Sequence, residues 1–368
     1  MMHAQVVRST FLSSLGRVQG VIEAKRTLPI LSHILVEARG NTITLSGTDL
    51  DVSIQTSLHG DIKQEGGVAI SGKKLYEITR ELPDAPIDLR WEEGQHVEIL
   101  CAKSTFRLKG IGPEEFPTLP EIPEGAGITI AAETLRTMIP KTLIAVSTDQ
   151  TRPTLAGALL QLTESELCMV ATDGHRLSLV RAPTDTTKGG EVPEAIIPRK
   201  ALAELGKMLK DESGDVRLVP LGNQIAFLLS DSRLITRLIE GQFPNYQQVL
   251  PSPSGSAAVI RREDLQGALR RASTIAGDRA TPTTLDLKAG RLVISCTNID
   301  LGEAREELSM EYRGPEITAG FNAKYLLDFL GVVEQTEVSM HIHDPLSPAL
   351  FEPQKGEGFS CVIMPMRI

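Results

Sequence analysis

Ala171-Thr172-Asp173-Gly174-His175-Arg176-Leu177 has a counterpart on either side, Gly47-Thr48-Asp49-Leu50-Asp51 upstream and Cys296-Thr297-Asn298-Ile299-Asp300 downstream. The three threonines stand 124 and 125 residues apart in a chain of 368. Other landmarks keep the same rhythm. Lys74, Lys200 and Lys324 open apolar helix-like stretches at intervals of 126 and 124, and Pro29, Pro153 and Pro282 recur at 124 and 129. Phe116-Pro117 and Phe243-Pro244 close two units 127 apart, and Met364-Pro365 closes the last. A period of domain size means three copies of one fold. Function then lies in what the copies build together and where they differ.

Each copy opens with an amphipathic helix: Val7, Phe11, Leu12, Leu15 and Val18 share a face, echoed by Leu135, Met138 and Ile139 and by Leu265 and Leu269. Pro140 is expected to end or kink the second of these. Stretches of period two, such as Thr42-Ile43-Thr44-Leu45 and Val97-Glu98-Ile99-Leu100, read as half-buried strands. A second helix is expected from Lys73, from Arg199 and from Lys324. Two helices and many antiparallel strands per copy predict an α+β domain, its helices packed on one sheet face. Pro-rich stretches at 117–123 and 251–255 read as short, stiff linkers. The expected domains are therefore 1–122, 128–251 and 256–368.

The net charge of −9 gives no overall basicity that would advertise nucleic acid. Cys101, Cys168, Cys296 and Cys361 lie far apart with no C-x-x-C pair, which suits reduced thiols in a cytoplasm. Arg8 and Arg17 interrupt the N-terminal apolar run, so neither a signal peptide nor a membrane span is expected. Charge is nevertheless segregated. The six expected helices, at 6–20, 73–82, 133–142, 199–210, 261–272 and 324–333, hold 16 Lys/Arg against 7 Asp/Glu, a net of +9 that leaves −18 for everything else. Helices sharing one surface would attract phosphate backbones without reading bases. Ordinary solvated helix faces account for the same residues without any ligand.

Catalytic and metal motifs are weak. Gly67-Val68-Ala69-Ile70-Ser71-Gly72-Lys73 fits G-x-x-x-x-G-K, but Lys74 stands where a Mg²⁺-binding hydroxyl is needed. A nucleotide-dependent enzyme built on this loop is one alternative. His341-Ile342-His343-Asp344 offers two imidazoles and no third clear ligand, so no metal is expected. Asp173 and His175 have no nucleophile paired with them, and the Thr-Asp part of their turn belongs to the repeat. Gly174-His175-Arg176 is special to the middle copy and reads as a binding elaboration. The apolar terminus Cys361-Val362-Ile363-Met364-Pro365-Met366-Arg367-Ile368 suits a closing strand or an adaptable groove. A peptide-binding scaffold unrelated to DNA is the second alternative, and the +9 helix set argues against it.

Together these residues resemble the bacterial DNA polymerase III beta subunit, the sliding-clamp family. The resemblance is carried by Thr27-Leu28-Pro29-Ile30-Leu31 and Gly47-Thr48-Asp49-Leu50, by Ala171–Leu177 and Gly241-Gln242-Phe243-Pro244-Asn245-Tyr246, and by Gly320-Phe321-Asn322 and Val362–Arg367. It implies three clamp domains per chain and a head-to-tail homodimer forming a six-domain ring around duplex DNA, helices inside and sheets outside. It implies no catalysis and no cofactor. The ring raises processivity by tethering the polymerase at high effective concentration. Implied partners are the polymerase alpha subunit, the clamp-loader delta subunit and other proteins with a clamp-binding motif, typically Gln-Leu with a terminal Leu-Phe.

Carried over by matching motif, the peptide pocket between the second and third domains comprises Leu155, Thr172, Gly174, His175, Arg176, Leu177, Pro244, Gln248, Val249, Asn322, Tyr325, Val362, Met364, Pro365, Met366 and Arg367. Apolar walls would come from Leu155, Leu177, Val249 and Val362, with His175 and Arg176 orienting polar groups. Gln248 replaces an arginine of the enterobacterial member, and Pro348 replaces a serine at the rim. DNA contacts are assigned to Lys25, Arg26, Lys73, Arg152, Arg199 and Lys200; the Arg152-Pro153-Thr154 loop lacks the paired tyrosines of the enterobacterial form. At the ring seam, the edge strand Lys103–Lys109 would pair with the third domain of the other subunit. Phe106 and Leu108 would meet Ile275, and Lys74 and Arg107 would face Glu303, Glu306 and Glu307.

Overall fold

The computed structural model describes residues 1–22, 28–92, 94, 96–149, 151–163, 165–183, 194–251, 257–277, 281–355 and 358–368. Lys25, Arg26 and residues 252–255 of the second linker lie outside the described residues. Each third of the chain runs twice through strand, helix and three strands. The first comprises β1 (Met2–Val6), α1 (Arg8–Gln19), β2 (His33–Arg39), β3 (Thr42–Thr48) and β4 (Val52–His59). After a short β5 (Asp61–Gln64) come β6 (Gly66–Ser71), α2 (Gly72–Glu81), β7 (Ile87–Trp91), β8 (His96–Cys101) and β9 (Ser104–Ile111). The middle third has β10 (Ile128–Ala131), α3 (Ala132–Leu143), β11 (Gly157–Leu162), β12 (Glu166–Thr172) and β13 (Arg176–Pro183). Its second half is β14 (Ala195–Pro198), α4 (Arg199–Met208), β15 (Asp215–Pro220), β16 (Gln224–Leu228) and β17 (Ser232–Arg237). The last third has β18 (Ala258–Arg261), α5 (Arg262–Ser273), β19 (Thr283–Lys288), β20 (Arg291–Asn298) and β21 (Gly302–Ser309). It ends with β22 (Ile317–Phe321), α6 (Ala323–Val332), β23 (Glu337–His341), β24 (Ala349–Pro353) and β25 (Phe359–Ile363).

The opening strand of each half crosses to the other half's sheet. β6 pairs with β2 and β1 with β7; β14 pairs with β11 and β10 with β15; β22 pairs with β19 and β18 with β23. Each repeat therefore builds two antiparallel half-sheets, which in the first repeat run into one another through β6 and β9. The helices close over them with one apolar stripe: α1 buries Phe11, Leu15 and Val18, and α5 buries Leu265, Ala268, Leu269 and Ala272.

Repeats are joined edge to edge. β4 pairs with β17, setting Val52 opposite Thr236, Ile54 opposite Leu234 and Thr56 opposite Ser232. β13 pairs with β25, setting Arg176 opposite Ile363, Ser178 opposite Cys361 and Val180 opposite Phe359. The middle repeat thus gives one sheet to each neighbour, and the chain divides into two compact units within it. One contains Met1–Arg136 and Lys200–Leu238, the other Glu194–Arg199 and Ile239–Ile368 with the segment from Thr137. The hydrogen-bonded ladder at each join binds different repeats into one unit, which no linker composition reveals.

Two details differ from the sequence reading, and a third accounts for a motif it left weak. All three second helices begin one residue before a lysine, and Leu75, Leu202 and Leu326 are buried two residues after it. The structural rank is therefore Lys73, Lys200 and Lys324, not Lys74. Pro140 lies inside α3, which continues to Leu143. A proline there removes one backbone donor near the helix end, where Thr142 Oγ1 bonds the Met138 carbonyl. Gly72 of the G-x-x-x-x-G-K stretch is buried, and a Cβ there would lie 2.7 Å from Ile22 Cδ1 and 3.0 Å from Ile34 Cγ1. That glycine serves helix packing.

All four cysteines are buried, and burial pushes the Cys361 thiol up to about 12. Among the described residues no helix is long and apolar enough to cross a membrane, and no group of three His, Cys, Asp or Glu is arranged for a metal.

Candidate functional site

The repeated Thr-Asp turn is an Asx turn. Asp49 Oδ1 accepts from the backbone N–H groups of Asp51 and Val52, Asp173 Oδ1 from those of His175 and Arg176, and Asn298 Oδ1 from those of Asp300 and Leu301. The next residue takes a left-handed conformation in the first two copies: Leu50 at φ 78° and Gly174 at φ 90°. Glycine removes the strain that leucine carries there. It also leaves room for Arg152, whose Nη1 would lie 3.1 Å from a Cβ at position 174.

Arg176 is the centre of the middle elaboration. It is 8% exposed, and its Nε donates to Asp173 Oδ2 at 3.1 Å while Nη1 donates to Asp328 Oδ2 at 2.7 Å. Its guanidinium stacks 4.3 Å from the Tyr325 ring centroid. Lys324 Nζ reaches the same Asp328 oxygen at 2.8 Å. Burial, reinforced by Asp173, pushes the Tyr325 phenol up and keeps it neutral. Arg176 is thus held in place by its own chain, a positioning group between the turn and α6. Asp328 was not singled out from the sequence; its spacing of four from Lys324 was the available signal.

These groups line a cavity of about 690 Å³ with Asp149, Arg152, His175, Arg199 and Asn322. Asn322 caps α6 by accepting from the Lys324 N–H. Two expected DNA contacts also have internal duties. Arg199 Nη1 donates to the carbonyls of Leu143 and Val146 at the end of α3, and Lys200 Nζ bonds Asp49 Oδ2 at 2.7 Å. Lys73 is two-thirds exposed and Arg152 is exposed.

Alternation along β13 sends Arg176 and Leu177 to opposite faces. Leu177 pairs with Val362 and shares an apolar cluster with Leu159, Val170, Leu179 and Leu350. Tyr246, Phe243 and Leu250 cover the cluster from the segment that carries Pro244, Gln248 and Val249. Burial is accordingly continuous along most of β12 and β13, since both faces are covered. Tyr246 Oη donates to Gln161 Oε1 at 2.8 Å, locking the cover in place. Val249 is 44% and Met364 40% exposed, apolar surface at the margin of the sheet. The Met364 N–H donates to the His175 carbonyl, and the Met366 N–H to the Gly320 carbonyl, tying the terminus to both motifs. Leu155 is buried, and its neighbour Thr154 lies against Gly241. Thr172 Oγ1 is spent on the Arg176 carbonyl. Pro365 is half-buried and Arg367 exposed beyond them.

Three family profiles match the chain: the DNA polymerase III beta subunit N-terminal domain over residues 2–120, the central domain over 129–245 and the C-terminal domain over 247–367. The chain belongs to the DNA polymerase III beta subunit family. It is a DNA sliding clamp, a non-catalytic processivity subunit. The beta sliding clamp of Pseudomonas putida is 34% identical and that of Caulobacter vibrioides 32% identical, each aligned over the whole of both chains. Among solved structures, the clamp of Bartonella birtlesii bound to griselimycin superposes with a TM-score of 0.94 at 34% identity, covering both chains completely. That of Caulobacter crescentus with bound polyethylene glycol gives a TM-score of 0.92 at 31% identity, covering 100% of this chain and 99% of that one.

The expected seam residues are on display. Phe106 is 38% exposed on β9, whose outer edge pairs with β6 only at Gly110 and Ile111. β21 pairs with β20, and among the described residues no strand pairs with its other edge. Arg107 pairs with Glu98, Lys74 with Glu77, and Glu306 with Arg271 of its own α5. Replacing Arg176 with alanine leaves Asp173 and Asp328 facing each other and is expected to cost about 3–5 kcal/mol of unfolding free energy. Denaturant titration measures this; an unchanged midpoint contradicts the positioning role.

Proposed function

We infer that two copies close head to tail into a ring around duplex DNA, and that partners dock a peptide at the exposed margin of the apolar face of β12, β13 and β25. The observation that carries this is the rule of joining. The last strand of one repeat's first half pairs with the last strand of the next repeat's second half: β4 with β17, and β13 with β25. Continued once more, β21 seeks the β9 of another copy, a heterologous contact that closes if the rotation does.

Matching rungs give the register. Gly47–Ile54, Ala171–Ser178 and Cys296–Ala304 are equivalent pairs just before the Thr-Asp turn. Phe227–Leu234 and Ile99–Phe106 are equivalent pairs five residues after the hairpin glycines Gly222 and Gly94. Since Ile54 lies opposite Leu234, Ala304 falls opposite the partner's Phe106. Glu303 then faces the partner's Arg107 and Glu307 the partner's Lys103. In this register these are the closest charge pairs of the seam, while Lys74 and Glu306 also have partners within their own subunit. Phe106 falls on the helix-bearing side, toward Ile275 at the end of α5.

The net charge of +9 on the helices supports the DNA reading, with exposed Lys73 and Arg152 the leading contacts and Lys25 and Arg26 retained as candidates. Weak, sequence-independent attraction permits sliding. Domains 1–122, 128–251 and 256–368, a cytoplasmic setting, and the polymerase alpha and clamp-loader delta subunits as partners complete the proposal. The peptide's apolar end would settle among Leu155, Leu177, Val249, Val362 and Met364, whose side chains offer adaptable apolar contact.

Loaded by its loader and ATP onto nicked circular DNA and freed of unbound protein, the clamp is expected to stay on circles and leave linearised DNA. Equal retention on both contradicts encirclement. Met364→Lys is expected to weaken a Gln-Leu…Leu-Phe peptide about tenfold or more while leaving the dimer intact; unchanged affinity removes Met364 from the pocket.

A further inference from the structure

The three joins are built on one turn but not on the same electrostatics. At the first, the Lys200 ammonium lies 2.7 Å from Asp49 Oδ2 and 3.3 Å from the Val21 carbonyl, just past the end of α1. Asp49 is 2% exposed and the Lys200 side chain 31%, so the carboxylate end of the pair is the shielded one. At the second, Asp173 connects through Arg176 and Asp328 to Lys324, the structural equivalent of Lys200. In both, a carboxylate on one repeat's turn is linked to the lysine that begins the next repeat's second helix.

The third turn carries Asn298 in the same place. Its Oδ1 accepts the two backbone N–H groups of the turn, as Asp49 and Asp173 do, which fixes Nδ2 as the atom in the position of the cation-binding oxygen. Nδ2 donates at 3.2 Å to the carbonyl of Ala276, just past the end of α5. The amide therefore supplies from within the subunit the hydrogen that Lys200 supplies across the first join. The lysine due at this position across the seam is Lys73, which lies 3.9 Å from Glu77 of its own helix.

We propose that Asn298 leaves the seam without the turn-to-lysine ion pair that the other two joins carry, so that the subunit's exposed end is self-satisfied when the ring is open and the contact between copies is weaker than a carboxylate there would make it. This rests on the head-to-tail reading of the seam. An aspartate at 298 turns an acceptor toward Ala276 O in the separated subunit and toward the Lys73 ammonium of the partner subunit in the dimer.

The test measures dimer dissociation for the full chain by dilution from micromolar to picomolar concentration, alongside the melting temperature of each variant. Asn298→Asp is expected to lower the dissociation constant about five- to thirty-fold, the scale of a close ion pair at an interface. Lys73→Ala is expected to have a small effect alone and to abolish the gain in the double variant. If the parent chain dimerises and Asn298→Asp dissociates as readily, or its gain survives Lys73→Ala, the proposal is overturned while the head-to-tail reading stands. A parent chain that stays monomeric at micromolar concentration overturns both. A lowered melting temperature of monomeric Asn298→Asp with a tightened dimer supports the proposal, since the same atom must lose Ala276 and gain the partner.

Discussion

A sheet edge is a row of unpaired N–H and C=O groups, and this fold depends on where those rows find partners. Each repeat presents one edge at the end of its first half and another at the end of its second. The pairing is directional: β4 meets β17 and β13 meets β25, a first half always meeting the following second half. A self-complementary contact between identical edges would bring two copies of β21 together, each with Glu303, Glu306 and Glu307 along the strand. Like charges directly opposite are unfavourable in a sheet. The basic edge strand β9, with Arg107 and Lys109, is the complementary surface. Topology and charge thus select the same mate.

The Thr-Asp turn shows how one local device is put to three uses. Its acceptor oxygen always stitches the turn; its second terminal atom decides what lies beyond. As Asp49 Oδ2 it binds a lysine, as Asp173 Oδ2 it anchors Arg176, and as Asn298 Nδ2 it satisfies a carbonyl of its own repeat. The middle turn gained Gly174 and Arg176, and with them a rigid frame linking β13 to α6. The apolar face begins on the other side of that frame at Leu177. Rigid support behind an adaptable, methionine-edged surface suits the proposed peptide site.

The repeats, the six helices and the family were legible because periodicity and short motifs are local. The Leu75, Leu202 and Leu326 stripe also marked the true lysine rank, which fixed intervals from Lys74 obscured. Strand exchange between halves was not legible, since nothing in β1 or β6 states which sheet it enters. The commitment of Arg176 was hidden for a related reason: Asp328 lies 152 residues away and meets it only in the fold. The internal partners of Lys200 and Arg199 were not legible either, since Asp49 is distant in sequence and the end of α3 offers carbonyls with no side-chain signature.

The central claim is that β21 pairs with the β9 of a second copy in the stated register. Cysteines placed at 303 and 107 of the same chain test it by mild oxidation, since the native thiols are buried. Directly opposed residues of antiparallel strands bring Cα atoms to about 5.5 Å, within disulfide reach. The account predicts a covalently closed dimer from the 303/107 pair and little product from 303/103. Crosslinking of 303/103 in preference, or none from either pair in a protein that is dimeric, would contradict it.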